Sequence, residues 1–335
     1  MEDTEMDVHS GVRLQAGDAL EHYQLIEPLD RRRAVEIWRG QHISQQTQVV
    51  LKILPRAGCA PEDYQRIERR LRNEALVLAG LHHRHIIGLH TYLEEQDYCA
   101  LVLAYAACGS VLSHHGSGRR LPLSLVRLYT MQIAQALESM HRQQLVHCDV
   151  KPGNILLANA HHALLADFGV ALYTYVQARY QGGTPSYMAP EQYRGHPGPA
   201  SDQYGLATSV YEWLTGHRPF YGEARAIVHR RERSIPRSVR IFRPELPDAL
   251  DRVLRVALHP DPAQRYPGVL AFAREFTRIA RTVRPPLVNR LPYYRAPVTD
   301  VASLEEQWLS GRQRLPVTEE REIVRLPLLL PAVLV

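Results

Sequence analysis

In the stretch HCDVKPGN (His147–Asn154), an aspartate, a lysine and an asparagine occupy positions 149, 151 and 154. Eighteen residues past Asp149, Asp167 opens the triplet DFG. Upstream, Lys52 lies in the apolar run TQVVLKIL, and Glu74 lies in the periodic run EDYQRIERRLRNEALVLAGL. Carboxylates, an amide and lysines in this order suit phosphoryl transfer from a nucleotide. That chemistry needs phosphates held in place, a metal to neutralise them and an acceptor hydroxyl aimed for in-line attack. Singly, each residue has a plainer reading: Lys52 as a solvated strand residue, Glu74 as a helix-surface charge, DFG as a turn. Only the set, in its order, carries the chemistry.

Two different surroundings must position these residues. From Tyr23 to Tyr105 the runs VEIWRG, TQVVLKIL and YCALVLAY have the length and composition of strands. One helix interrupts them, with Ile67, Leu71, Ala75 and Leu78 along one face. After ACGS the pattern turns helical: LSLVRLYTMQIAQALESMHR carries Leu128, Met131, Ala134 and Leu137 at helical spacing. Further helical runs follow in SDQYGLATSVYEWLTG, ALDRVLRVAL and PGVLAFAREFTRIARTV. The change of character predicts a cleft near residues 104–109.

The chain of 335 residues is 45% hydrophobic and 22% charged, with a formal charge of +5. These are values of an ordinary globular protein, and the interspersed charges do not suggest a nucleic-acid partner. Cys59, Cys99, Cys108 and Cys148 form no CxxC pair, so neither a disulfide frame nor a zinc site is expected, and a reducing cytoplasm fits. The histidine pairs and HHRH (82–85) lack the arrangement of a transition-metal site. The polar start MEDTEMDVHS is unlike a secretory signal. No apolar run reaches the ~20 residues of a membrane helix. The nearest, LPLLLPAVLV at the C-terminus, is half as long and broken by Pro327 and Pro331. No transmembrane anchor is therefore expected.

Over residues 20–280 the chain resembles the eukaryotic-type protein kinases, and is most similar to bacterial serine/threonine protein kinases. VVLKIL resembles the strand of the phosphate-binding lysine, Lys52, and RNEALVLAGLHHRHII the helix of its carboxylate partner, Glu74. HCDVKPGN resembles the catalytic loop and DFG the magnesium site. GGTPSYMAPEQ is similar to the end of an activation segment, containing Thr184 and Glu191. DPAQRY puts Arg265 where the family pairs an arginine with that glutamate.

The resemblance implies an α+β, bilobal protein-kinase-like fold, with a small β-rich N-lobe containing one main helix and a larger, mainly helical C-lobe. It implies a flexible leader (1–20) and a kinase domain (21–282) composed of an N-lobe (21–104), hinge (104–109) and C-lobe (110–282). A proline-rich tail (283–335) follows, with one short helix around Ser303–Gly311. In the implied roles, Asp149 orients the acceptor hydroxyl and Lys151 places positive charge beside the transferring group. Asn154 and Asp167 offer hard oxygens suited to Mg2+ or Mn2+. Lys52, held by Glu74, fixes the ATP phosphates. Leu103 takes the gatekeeper-like place, and Ala104, Tyr105 and Ala106 the hinge against the base. His147 and Phe168 are packing residues. Lys151 together with Thr184 resembles the serine/threonine pattern.

Two departures stand out. Asp30, Arg32 and Val35 fall where the family carries three glycines, which let backbone N–H groups approach phosphate. Arginines 31–33 offer a substitute reach, although a solvated turn is the plainer reading. Cys148 stands where many kinases carry an arginine that binds a phosphate on the activation segment. That control is expected to be absent, with the segment ordered by packing or a partner. The expectation is a cytoplasmic serine/threonine protein kinase using ATP and magnesium on an unknown protein substrate. The alternative is a pseudokinase acting as a binding module with weakened nucleotide binding.

Overall fold

The computed structural model describes residues 14–31, 34–174, 182–220, 231 and 235–283. The chain divides into two compact units, one through Ala107 and the other from Cys108 onward.

The first unit is built on an antiparallel sheet. Its strands are β1 (Ala19–Leu20), β2 (Tyr23–Asp30), β3 (Glu36–His42), β4 (Gln48–Pro55), β5 (Leu89–Glu94) and β6 (Tyr98–Ala104), in the order β1-β2-β3-β4-β6-β5. Side chains alternate between the two faces of a strand. In β4, Val49, Leu51 and Ile53 are therefore fully buried, while Val50 and Lys52 point the other way and are half-buried. Trp38, Leu25, Ala100 and Val102 complete the core against which Val49, Leu51 and Ile53 pack.

The helix α1 (Pro61–Ala79) starts without a side-chain cap. Pro61 at the first turn lacks the N–H that would need one, and Glu62 and Asp63 complement the positive end of the helix. Its buried face holds Leu71, Ala75 and Leu78, joined by Tyr64, Val77 and the carboxylate of Glu74. Ile67, expected on that face, is only half-buried.

Part of the stretch read as a leader belongs to this sheet. Ala19 and Leu20 pair with Gln24 and Tyr23. Gly17 donates its N–H to Leu25 O at 2.8 Å, and Leu14 packs on the core. The physical reason is apolar burial: Leu20 is removed from water, which an unpaired leader would not achieve. The short helix expected around residues 303–311 and the apolar C-terminal run lie outside the described residues.

The second unit contains α2 (Val111–His115), α3 (Leu123–His141), β7 (Leu145–Val146), β8 (Ile155–Asn159), β9 (His162–Leu165), β10 (Leu172–Tyr173), α4 (Pro190–Tyr193), α5 (Pro199–Thr215), α6 (Asp248–Ala257) and α7 (Val269–Ala280). Ser110 and Ser113 cap α2 reciprocally, each hydroxyl accepting the other's N–H at 3.0 and 2.9 Å. The buried stripe of α3 runs through Val126, Tyr129, Ile133, Leu137 and Met140, so Leu128 and Met131 sit at its margin. That stripe packs on α5 and α7.

Every residue of α5 from Ser201 to Tyr211 is buried. A helix with no solvent face can satisfy its polar groups only from within the protein. Here it does so in part, since Tyr204 Oη and Thr208 Oγ1 find no hydrogen-bond partner among the described residues. Ser209 and Thr215 donate to the carbonyls of Gly205 and Tyr211 one turn earlier, and Gln203 reaches Tyr266 O. This fixed helix supports the loop that carries Asp149. Among the described residues, no helix is long and apolar enough to cross a membrane.

Candidate active site

In the first unit, Lys52 Nζ meets both carboxylate oxygens of Glu74, at 2.8 and 3.0 Å. Glu74 is only 2% exposed, which accounts for a carboxylate on the apolar face of α1. A buried charge persists only when paired, and stripping either partner from such a pair costs about 3–5 kcal/mol. Leu103, near the end of β6, is buried and lies opposite Val50 and Leu89. Ala104 ends β6, with its N–H on Gly88 O at 2.8 Å. Beyond it, the Arg39 guanidinium stands 6.0 Å from the Tyr105 ring centroid, and Ala106 is buried.

The turn between β2 and β3 departs from a backbone cradle. Arg31 Nε pairs with Glu36 at 3.1 Å, its Nη2 donates to Leu14 O at 2.8 Å, and its guanidinium lies 4.8 Å from the Trp38 ring centroid. Glu36 in turn accepts the Trp38 indole N–H at 2.8 Å. Arg31 is thus bound into its own sheet, contrary to the substitute reach considered for it. Asp30 ends β2, paired with Ile37, and Val35 is half-buried. Arg32 lies outside the described residues.

In the second unit, the loop between β7 and β8 gathers its polar side chains around one carboxylate. Asp149 Oδ2 accepts from Lys151 Nζ at 2.7 Å and from Asn154 Nδ2 at 2.9 Å. Its Oδ1 accepts the Thr184 N–H at 2.8 Å. Lys151 Nζ also donates to Thr184 Oγ1 at 2.5 Å. Asn154 Nδ2 bonds Asp149 O as well, which fixes the amide and leaves its oxygen turned elsewhere. Ala166 N donates to Asn154 O at 2.9 Å, so the residue before Asp167 is tied to this loop. Asp167 has a φ of +66°, a conformation rarely used by non-glycine residues outside functional turns. Phe168 is fully buried and meets His147 edge-on, ring centroids 5.0 Å apart, while His147 Nε2 lies 3.1 Å from Ala166 O.

Beneath this loop lies Asp202, a residue whose part the sequence reading missed. It is 1% exposed. Its Oδ2 accepts the His147 N–H at 2.9 Å and lies 2.8 Å from His141 Nε2; its Oδ1 accepts the Cys148 N–H at 2.8 Å. The available signal was an acid in the first turn of a helix, in SDQYG. Cys148 itself adopts φ +67° and is buried, with Sγ 3.7 Å from Val146 O. Its backbone serves both sides, since its carbonyl accepts Gln192 Nε2 at 2.5 Å. The thiol itself contacts neither Asp202 nor Gln192 and donates to the Val146 carbonyl.

The segment that begins at Gly182 is pinned to the loop. Gln192 reaches Gly182 O at 3.2 Å. At Gly183, φ is +100°, and a Cβ would fall 2.6 Å from Cys148 O, so only glycine fits. Behind Thr184, Glu191 receives both terminal nitrogens of Arg265, at 2.7 and 2.8 Å, and the Ser201 hydroxyl at 2.8 Å. The Arg265 side chain is wholly buried and also donates to the carbonyls of His259, Ala200 and Pro260. Residues 175–181, the middle of the expected activation segment, lie outside the described residues.

The donor chemistry suits a divalent cation: a carboxylate at Asp167 and an oriented amide oxygen at Asn154 are both hard oxygens.

Comparison with known proteins identifies the family. The protein kinase domain matches residues 34–276, beginning within the turn that lacks the glycines. The chain is 33% identical over 287 residues to the serine/threonine-protein kinase drp72 of Corynebacterium efficiens, covering 80% of this chain and 51% of that one. It is 30% identical over 268 residues to the serine/threonine-protein kinase PknL of Mycobacterium tuberculosis, covering 78% and 65%. Against the serine/threonine-protein kinase PknA of Corynebacterium glutamicum it is 28% identical over 305 residues, covering 85% and 62%. The chain thus spans about half to two thirds of the length of these relatives. With the family match covering most of its length, the chain belongs to the protein kinase family.

Proposed function

We propose that the protein is an ATP-dependent serine/threonine protein kinase. The observation that carries this reading is the Asp149 carboxylate, held by Lys151, Asn154 and the Thr184 N–H in one hydrogen-bonded cluster. A carboxylate aimed by three donors can accept or orient the proton of an incoming hydroxyl. Lys151, 25% exposed at its side chain, brings a positive charge to the same place, where charge on a transferring phosphoryl group is shared. The contact of Lys151 with Thr184 supports the serine/threonine class.

Lys52, oriented by Glu74, is the group for the α and β phosphates. The hinge backbone at Ala104–Ala106 is the group for the base. Asn154 and Asp167 would hold Mg2+, or Mn2+ in its place, and the bound cation supplies neutralisation of phosphate oxygens. The substrate is a protein hydroxyl. None of the four cysteines forms a disulfide, which supports a reducing compartment such as the cytoplasm.

The test is transfer of labelled γ-phosphate with magnesium, beside Asp149→Asn. Label in the chain or in a generic protein, lowered by roughly 10²–10⁴-fold in the variant, is the expected result. Folded wild-type protein giving no label above that control, with magnesium or manganese, would overturn the reading and favour a pseudokinase acting as a binding module with weakened nucleotide binding.

A further inference from the structure

Arg231 is 2% exposed, yet among the described residues no carboxylate faces it. Its guanidinium is spent on backbone instead. Nη1 donates to Pro185 O at 2.6 Å and to Met188 O, and Nη2 donates to Ser186 O. Three carbonyls from four consecutive residues converge on one cation. Nε is buried with no partner among the described residues, so the fork is committed to this single strip of chain.

The surroundings keep it there. Tyr204 of α5 is fully buried, with the Arg231 guanidinium 5.7 Å from its ring centroid and that of Arg265 4.9 Å away. Two arginines share one aromatic platform: Arg265 grips the carboxylate of Glu191, and Arg231 the carbonyls just before it. Arg218 adds a third cation, donating to Ser186 Oγ at 2.5 Å. Burial, with the like charge of Arg218 adding to it, lowers the Arg231 pKa. A buried cation beside other cations is tolerated only where dipoles are aimed at it, so the carbonyls and the arginine fix each other.

The strip is the one that reaches the catalytic carboxylate. Thr184, next to Pro185, places its N–H on Asp149 and its hydroxyl on Lys151. Cys148, immediately before Asp149, is a buried thiol that cannot pair with a phosphate. We propose that Arg231 is a positioning residue that sets Thr184–Met188 in register with Asp149, by a permanent internal cation rather than by charge added to the chain. This rests on the kinase reading above, and it adds to that reading how the acceptor platform is held.

The test compares wild type with Arg231→Ala and Arg231→Lys. Lysine keeps the charge but lacks the planar fork that spans three carbonyls. Hydrogen exchange needs no activity. In both variants the amides of Thr184, Tyr187 and Met188 should exchange faster by about tenfold or more, with those of α3 and α7 unchanged. In transfer assays with a generic protein acceptor, the KM for that acceptor should rise about tenfold, because small misplacements of reacting groups are costly. The KM for ATP should stay within about twofold.

Unchanged exchange and unchanged acceptor KM would overturn the proposal. So would exchange raised throughout the second unit, since that marks a general support of the fold. If Arg231→Ala does not fold, Arg231→Lys decides. If wild type transfers no label, the kinase reading fails and the exchange result alone judges Arg231.

Discussion

The turn after β2 and the loop after β7 are each polar and each expected to meet phosphate chemistry, but they are built differently. In the turn, Arg31 is held by Glu36 and the Trp38 ring of β3 and by the carbonyl of Leu14, which precedes β1. These contacts are partly exposed and local. In the loop, Asp149 and its neighbours are bonded to residues 5 to 55 positions away, with Asp202 buried beneath them. Exposed ion pairs contribute little, whereas a buried carboxylate that satisfies several N–H groups is costly to remove. At the weakly braced turn the chain departs from the family pattern in all three glycine positions, whereas the strongly braced loop keeps Asp149, Lys151 and Asn154 and departs only at Cys148.

The sharpest way to break this comparison is Asp202→Ala. It strands the N–H groups of His147 and Cys148 in the interior and removes the partner of His141. A loss of about 3–5 kcal/mol in urea unfolding is expected. A loss below about 1 kcal/mol would mean that the loop is not braced from α5.

Next in size is Gly183→Ala. The new Cβ would lie 2.6 Å from Cys148 O at a φ of +100°. It should destabilise by about 2 kcal/mol and displace Thr184 from Asp149. Calorimetry measures the first effect and phosphotransfer the second; full activity would show that the segment docks without this close approach.

A pH series probes burial in the second unit through His115. Burial, assisted by the charges of His114 and Arg119, lowers its pKa to about 4. The folded state therefore holds it neutral, while the unfolded chain protonates it near the ordinary value of 6.5. Stability is full above that value and falls as pH drops from 6.5 toward 4, by an amount on the order of 2 kcal/mol. Unfolding at several pH values should show a shallower fall for His115→Gln. Parallel curves for the two proteins would remove His115 from the account.

The smallest effect belongs to the turn. Arg31→Ala should cost no more than about 1 kcal/mol, and leave the KM for ATP within about twofold. A tenfold rise in that KM would place the guanidinium on the nucleotide and erase the contrast with the loop.

Much of this was legible because it is local. Short runs with the length and composition of strands marked the sheet, and the face Leu71–Ala75–Leu78 marked α1. The set Asp149, Lys151 and Asn154 is compact because two- and five-residue separations on a tight loop bring side chains together. Leu14–Leu20 was misjudged because so short a stretch has no periodicity, and its pairing with β2 depends on a buried leucine finding a core. Arginine 31 was open to two readings because a sequence does not show which neighbour a long cation will choose.

The succession of strand-like and helical stretches, most of the buried face of α1 and the identity of the groups suited to phosphoryl chemistry were determined by the sequence alone. Each depends on spacing within a few residues, or on side-chain chemistry that needs no partner to be named. The brace of Asp202 under the loop, the docking of Gln192 on Cys148 O and the grip of Arg231 on Pro185–Met188 were decided only by the tertiary structure. These contacts join residues roughly forty to fifty-five positions apart, and each of them ends on a backbone group, which every residue carries. Nothing in residue type distinguishes one such N–H or carbonyl from another until packing removes water and leaves each buried group its one available mate.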